Sequence, residues 1–149
     1  MILARVRLAN QQDLAAVYRV EDESFSEPYP HDLIAKLLHD YPDTFFVVEY
    51  PAGTVVGYCV ATTAGKSAHL ISVGVLSKYR RRGFGTALIQ RLQANLNPRV
   101  EQLRLEVKRD NIDAITLYEC LGFIREGEIE NYYEDGCTAV KMLLSLRGA

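Results

Sequence analysis

The stretch Leu70-Ile71-Ser72-Val73-Gly74-Val75-Leu76-Ser77-Lys78-Tyr79-Arg80-Arg81-Arg82-Gly83-Phe84-Gly85-Thr86-Ala87 decides the fold. Up to Val75 it reads as a half-buried strand. After Gly85 the apolar residues Leu88, Ile89, Leu92 and Leu96 recur at helical spacing. Between the two lies a basic turn with two glycines. The first turn of a helix has N–H groups without intrahelical partners, and the macrodipole adds partial positive charge there. Such an end takes anions, phosphates above all. Gly83 and Gly85 omit the Cβ atoms that would keep a phosphate off the backbone. Arg80, Arg81 and Arg82 raise the local positive potential. Read alone, the turn is either a phosphate site or a solvated basic loop, because its spacing is neither G-x-G-x-x-G nor a Walker A loop.

Upstream, Ile2 to Leu8 alternates apolar and basic residues as a strand does. Asn10 to Asp13 supplies helix-start residues, and Leu14, Val17, Tyr18 and Phe25 predict a helix from Asp13 to about Ser24. Pro28 and Pro30 interrupt it. A second helix has Leu33, Ile34, Leu37 and Leu38 on one face and ends at Tyr41-Pro42-Asp43. Thr44–Tyr50, Val55–Thr63 and Ser67–Val75 read as three strands with short connections, an antiparallel meander. The helix after the basic turn runs from about Gly83 to Leu96, where Asn97-Pro98 stops it. Leu103, Leu105 and Val107 alternate with Arg104 and Glu106 as another strand. Asp110 or Asn111 caps a helix carrying Ala114, Ile115, Tyr118 and Leu121, and Gly122 stands where a C′ glycine belongs. Phe123–Ile129 and Ala139–Leu146 read as two closing strands. The order is β-α-α-β-β-β-α-β-α-β-β. It predicts an α/β fold with a mixed, mostly antiparallel sheet of about seven strands and about four helices on both faces.

A chain of 149 residues is long enough to bury a core and is expected to form one domain over residues 1–149. A formal net charge of −2 argues against a general nucleic-acid binder, so the arginine cluster suits one anionic ligand better than a polyanion. Cys59, Cys120 and Cys137 have no C-x-x-C spacing, and His31, His39 and His69 have no ligand spacing, so no metal site is expected. The cysteines read as buried small hydrophobes and the histidines as structural or exposed. No apolar run approaches a membrane span, and an odd cysteine count without a signal pattern leads us to expect a cytoplasmic protein.

Three segments together resemble the GNAT superfamily of N-acetyltransferases, most closely its protein N-terminal branch of bacterial ribosomal-protein alanine type and archaeal relatives. Arg80-Arg81-Arg82-Gly83-Phe84-Gly85 is similar to the Q/R-x-x-G-x-G/A turn of that family. Leu105-Glu106-Val107-Lys108-Arg109-Asp110-Asn111, followed by Ala114 to Glu119 and Leu121-Gly122-Phe123, is similar to a second family segment. Asn131-Tyr132-Tyr133-Glu134-Asp135-Gly136 resembles the loop before the last strand. This loop departs from the branch in one respect: Cys137 and Thr138 follow Gly136 where an acidic pair is frequent, which bears on substrate preference.

The resemblance implies a fold, a cofactor and a set of roles. The cofactor is acetyl-CoA. Val73, Gly74 and Val75 would offer backbone groups to its pantetheine arm, and Arg81, Arg82, Gly83, Phe84, Gly85 and Thr86 would hold its pyrophosphate. Asn111 and Tyr118 would also contact it. Glu106 matches the general base and Tyr118 the general acid. Phe25, Glu27 and Tyr29, with Tyr132 and Tyr133, would wall the cleft for the N-terminus of a protein or peptide substrate. No nucleic-acid or membrane partner is implied, and monomer and homodimer remain open. The chemistry agrees with these roles. An amine is mostly protonated at neutral pH, a carboxylate can take its proton directly or through water, and a phenol can serve the departing thiolate. Other readings stand beside these. A strand glutamate is also an ordinary surface charge, and a helix tyrosine at core spacing also packs. A small-amine acetyltransferase and a non-catalytic acyl-CoA sensor are the alternative functions.

Overall fold

The computed structural model describes residues 4–146. Its elements follow the expected order: β1 (Arg5–Leu8), α1 (Leu14–Ser24), α2 (His31–Asp40), β2 (Phe45–Glu49), β3 (Val55–Ala64), β4 (Ser67–Val75), α3 (Phe84–Asn95), β5 (Gln102–Lys108), α4 (Ile112–Cys120), β6 (Ile124–Ile129) and β7 (Ala139–Ser145). The seven strands are ordered β1-β2-β3-β4-β5-β7-β6. The pairs β1/β2, β2/β3, β5/β7 and β6/β7 are antiparallel, and β4/β5 is parallel. The sheet is therefore mixed and mostly antiparallel, in an α/β protein with four α-helices. Ile2 and Leu3 of the expected first strand lie outside the described residues.

The described residues form two compact units, 4–62 with 71–96, and 63–70 with 97–146. In the first, all five residues of β2 are buried. Successive residues of a strand point to opposite faces. Tyr58 of β3 reaches Glu21 of α1, while Cys59 lies 3.7 Å from the Leu88 carbonyl of α3. So α1 and α3 cover opposite faces of this part of the sheet. Leu88, Ile89 and Leu92 fill the α3 side, and Val17, Val20, Ile34, Leu37 and Leu38 are the buried residues of α1 and α2. Leu33, expected on the apolar face of α2, is 37% exposed. It sits one position ahead of the stripe that Ile34, Leu37 and Leu38 form at i, i+3 and i+4.

The entry to α1 is built by its sequence. The Asn10 side chain accepts the Gln12 N–H, and Asp13 accepts the Asn10 N–H, a capping box over a short 3-10 turn at Gln11–Asp13. Arg7 then donates two bonds to Asp13 (2.8 and 2.9 Å) and one to Glu49 (2.5 Å), and Glu49 accepts the Gly53 N–H. One guanidinium thus joins β1, the start of α1 and the end of β2.

Close strand approach fixes Gly57. A Cβ there would lie 2.9 Å from the Gly74 carbonyl oxygen and 2.9 Å from Val48 Cγ1. Neither atom is the end of a long flexible chain. Gly57→Ala is expected to lower unfolding free energy by about 1–3 kcal/mol, as overpacking does. A urea midpoint equal to wild type would contradict this close approach.

In the second unit β5 pairs with β7 along its whole length, from Gln102↔Ser145 to Lys108↔Ala139. Leu103, Leu105, Val107, Ile115, Tyr118, Phe123, Val140, Met142 and Leu144 make the core. Gly122 takes the left-handed conformation (φ 102°) that ends α4 and turns Phe123 back into it. Of the cysteines, only Cys59 is buried. Cys120 is exposed because it is the last residue of α4, on a turn where Ile115 and Tyr118 take the buried positions. Among the described residues no helix is long and apolar enough to cross a membrane.

Candidate active site

In the first unit, β4 runs to Val75 and leads through a 3-10 turn at Ser77–Tyr79 into the basic segment. Glu23 accepts both the N–H and the hydroxyl of Ser77, and Arg80 Nε donates to the Val75 carbonyl at 2.9 Å. Arg81 (φ 63°) and Gly83 (φ 84°) are both left-handed, so the chain coils tightly just ahead of α3. The sequence predicts a helix starting at about Gly83. The structure makes Gly83 its N-cap, and a left-handed cap is glycine's natural place. The cap makes no side-chain hydrogen bond, and no acidic side chain stands in the first turn. The amides of Gly83, Phe84, Gly85 and Thr86 are the four donors that a helix leaves without intrahelical acceptors. A Cβ on Gly83 would meet nothing within 4 Å, so the space before these amides is open.

Arginine placement completes this end. The Arg82 guanidinium lies over the rings of Tyr79 (5.5 Å) and Tyr50 (5.7 Å), and Tyr50 packs on Phe84. Phe84 itself is buried, so it anchors the turn and offers its backbone N–H. The donor set of helix amides and arginines, with no competing carboxylate in the first turn, fits a pyrophosphate. On β4, Val73 and Val75 are half-buried, and Gly74 is pressed against α1, where a Cβ would meet Ser24 Oγ at 3.0 Å. The Val75 carbonyl already accepts from Arg80.

The segment from Phe25 to Pro30 between α1 and α2 has no regular structure. Phe25 is half-buried and Tyr29 is 40% exposed. The Glu27 carboxylate oxygens are covered. The Tyr29 N–H donates to Glu21 at 2.9 Å.

In the second unit, Glu106 stands on β5 between the buried Leu105 and Val107, on the opposite face, as alternation requires. Its side chain is only 12% exposed. Glu106 Oε1 lies 2.6 Å from His69 Nε2 and accepts the Tyr132 hydroxyl at 3.3 Å, while Arg104 stands 4.0 Å from Oε2. The His69 hydrogen bond, with the nearby positive groups, holds the Glu106 carboxyl below its ordinary value against the opposing effect of burial. With Glu106 ionised, His69 Nε2 is the donor. Burial and the Glu106 charge push the Tyr132 phenol up, so it stays a donor too. The tyrosine loop is held from β5 as well. Lys108 pairs with Asp135 at 2.8 Å and lies over the Tyr133 ring, against which Tyr132 packs edge-on.

Tyr118 is 8% exposed and packs on Phe123, ring to ring at 5.7 Å. The side chains gathered on Glu106 are His69, Tyr132 and Arg104. Asn111 is the N-cap of α4, its side-chain oxygen accepting the Ala114 N–H. His69 is the residue that sequence reading set aside as structural or exposed. The signal was there only in combination. Parallel pairing puts His69 opposite Arg104, and side-chain alternation then places His69 and Glu106 on one face.

The model of the acetyltransferase (GNAT) family matches residues 14–123. An N-alpha-acetyltransferase of Sulfurisphaera tokodaii is 33% identical, the match covering 95% of this chain and 93% of the relative. The crystal structure of Ard1 from Thermoplasma volcanium superposes with a TM-score of 0.91 at 31% identity, covering 97% of this chain and 99% of that one. The ribosomal-protein-S18-alanine N-acetyltransferase of Escherichia coli superposes with a TM-score of 0.88 at 30% identity, over 99% and 96% of the two chains. The fold around the turn before α3 and the half-buried strand carboxylate is that of these relatives, and the family match and the named relatives identify it: the chain belongs to the GNAT acetyltransferase family and is an acetyl-CoA-dependent N-acetyltransferase.

Proposed function

We propose that the acetyl acceptor is the N-terminal α-amine of a protein or peptide, and that both units serve one acetyltransferase domain. The observation that carries this reading is the Glu106 site. An ionised, largely enclosed carboxylate is oriented by His69 and Tyr132, and the same tyrosine loop is braced on β5 through Lys108. The Sulfurisphaera tokodaii relative is by name an N-alpha-acetyltransferase and the Escherichia coli neighbour a ribosomal-protein-S18-alanine N-acetyltransferase, and the resemblance of the Phe25 to Tyr29 and Tyr132-Tyr133 segments points the same way.

The chain's residues then divide the work. The amides of Gly83 to Thr86, with Arg81 and Arg82, hold the pyrophosphate. The backbone of Val73 to Val75 on β4, a strand paired with β5 at Ser67 to His69, holds the pantetheine arm by strand-like bonds. Asn111 contacts the same group beside its capping role. Glu106 accepts the proton of the substrate ammonium, directly or through one water, which frees the nitrogen lone pair for attack on the thioester carbonyl. The N–C bond forms, the C–S bond breaks, Tyr118 gives its phenolic proton to the departing thiolate, and the nitrogen's second proton, acidic once the N–C bond has formed, returns to the Tyr118 phenolate through solvent, leaving the neutral amide. His69 keeps Glu106 aimed. Phe25, Glu27, Tyr29, Tyr132 and Tyr133 contact the peptide.

The test is coenzyme A release from acetyl-CoA with short peptides that differ in their first two residues. Matched peptides with a blocked α-amine and a free lysine are included, together with spermidine. Release that requires a free α-amine is the expected result. Release with spermidine alone makes the protein a small-amine acetyltransferase. Binding of acetyl-CoA without release on any amine makes it a sensor.

A further inference from the structure

Glu21 lies on the inner face of α1 and is 1% exposed. Its neighbours on that face, Val17 and Val20, are the apolar residues that a helix buries against a sheet. A carboxylate in their place is costly unless hydrogen bonds satisfy it. Here three donors do so, all uncharged and from three different segments. Tyr58 of β3 donates its hydroxyl to Oε1 at 2.5 Å, and Ser72 of β4 donates its hydroxyl to the same oxygen at 3.0 Å. The backbone N–H of Tyr29 donates to Oε2 at 2.9 Å. Burial and the Glu21 charge push the Tyr58 phenol well above its ordinary value, so it stays protonated and donating.

A buried carboxyl group of this kind adds little stability over a well-packed apolar residue, but its hydrogen bonds fix geometry. What it fixes here is specific. The 25–30 segment is tied to the helices at its two ends, the Phe25 N–H donating to the Glu21 carbonyl and the Pro30 carbonyl accepting from Leu33 and Ile34, and between those ends its Tyr29 amide is held by a side chain eight residues earlier. The other oxygen of that carboxylate is tied to Ser72, the residue before Val73 on β4. We propose that Glu21 is a positioning residue for the peptide: through its two oxygens it sets the Phe25–Tyr29 segment relative to β4, touching neither substrate nor cofactor. This rests on the reading of Phe25, Glu27 and Tyr29 as peptide contacts.

The test is Glu21→Gln, which keeps the shape and turns one oxygen acceptor into a donor that cannot receive the Tyr29 N–H or the hydroxyls as before. Two readouts are taken on the whole protein. The first, hydrogen exchange at the Tyr29 amide, needs no substrate. The second is the split of peptide KM, kcat and acetyl-CoA KM, using whichever free-amine peptide is turned over best. We expect Tyr29 exchange to rise at least tenfold and peptide KM to rise about tenfold, with kcat and acetyl-CoA KM within twofold. Unchanged exchange at Tyr29 overturns the positioning role. Faster exchange with an unchanged peptide KM overturns the link from this segment to the peptide. A uniform loss in all three kinetic parameters marks a merely structural residue and overturns the proposal. If no peptide is a substrate even for the wild type, the N-terminal reading fails, while the exchange arm still decides whether Glu21 holds the segment. Ser72→Ala removes one donor without touching α1 and guards against misfolding of the first variant. It is expected to raise peptide KM two- to fivefold in the same pattern, and no change in KM or exchange counts against the proposal.

Discussion

Glu106→Gln is expected to cut turnover about a hundredfold or more while acetyl-CoA affinity stays within twofold. Proton transfer by a positioned base is worth about 10²–10⁴ in rate, and glutamine preserves shape while removing the basic oxygen. The His69 bond holds the Glu106 carboxyl below its ordinary value of 4.5, so it is already ionised from about pH 5 upward and contributes no limb near neutrality. The acid limb of kcat/KM therefore belongs to the substrate α-amine, which in peptides titrates near 7.7–8.0, and it moves with the amine when the first residue is changed. His69→Leu removes the largest cause of the lowering and leaves burial opposed by Arg104 and the Tyr132 hydroxyl. The Glu106 carboxyl then rises relative to wild type, and the pH at which it loses its charge moves up with it. Coenzyme A release measured from pH 5 to 9 reads both effects. Turnover of Glu106→Gln equal to wild type at every pH would remove Glu106 from the mechanism, and a His69→Leu profile identical to wild type would remove His69 from control of its charge.

Why His69 escaped the sequence reading while Glu106 did not is a matter of how information is stored along a chain. The order of elements is local. The switch from alternation to helical spacing after Val75, the prolines at 28, 30, 42 and 98, and the glycines at 83 and 122 mark where each element stops. The expected order of strands and helices matches the structure, and the errors sit at ends, where caps rule: Gly83 and Leu96 flank α3 and do not belong to it. A pair such as His69 and Glu106 is not local. It lies 37 residues apart in sequence, with all of α3 between, and is made by three residue pairs of parallel register. Glu21 was hidden differently. It falls on the stripe of Val17 and Val20, which reads as a break in the apolar face, and its three donors come from segments up to 51 residues away. Asn111 shows a third kind of ambiguity, since the residue that resembles a cofactor contact is also the cap its helix requires. Roles for Tyr118, Tyr132 and Tyr133 came from resemblance, because a tyrosine's spacing does not distinguish a packing ring from a reacting phenol.

Arg7→Met is expected to lower the unfolding free energy by about 3–5 kcal/mol, the usual consequence of leaving buried charge unpaired. For a chain of this size that corresponds to a fall of roughly 6–20 °C in Tm. The Asp13 and Glu49 side chains are 9% and 8% exposed, and Arg7 serves both. Methionine can fill much of the aliphatic path but satisfies neither carboxylate. The dependence on pH separates this cause from lost packing. In the wild type the Arg7 hydrogen bond is the largest cause lowering both Asp13 and Glu49, whose ordinary values are 3.8 and 4.5. A lowered carboxyl contributes stability that is fully present above its ordinary value and disappears as pH falls through the lowered one. Without Arg7, burial raises Asp13, and protonation then favours the folded variant. The gap between wild type and Arg7→Met is thus widest at neutral pH and narrows below about pH 4.5. Adding Asp13→Asn and Glu49→Gln to Arg7→Met removes both charges and is expected to recover a large part of the loss. Urea unfolding at pH 7 and pH 4 reads the difference directly. A gap that does not change with pH, and no recovery in the triple variant, would assign the loss to packing. Glu49 also accepts the Gly53 N–H and directly precedes Tyr50, whose ring packs on Phe84 and Tyr79. The same substitution should therefore weaken acetyl-CoA binding severalfold at temperatures well below the melt, because the aromatic support under Arg82 and the first turn of α3 is set from this end of β2.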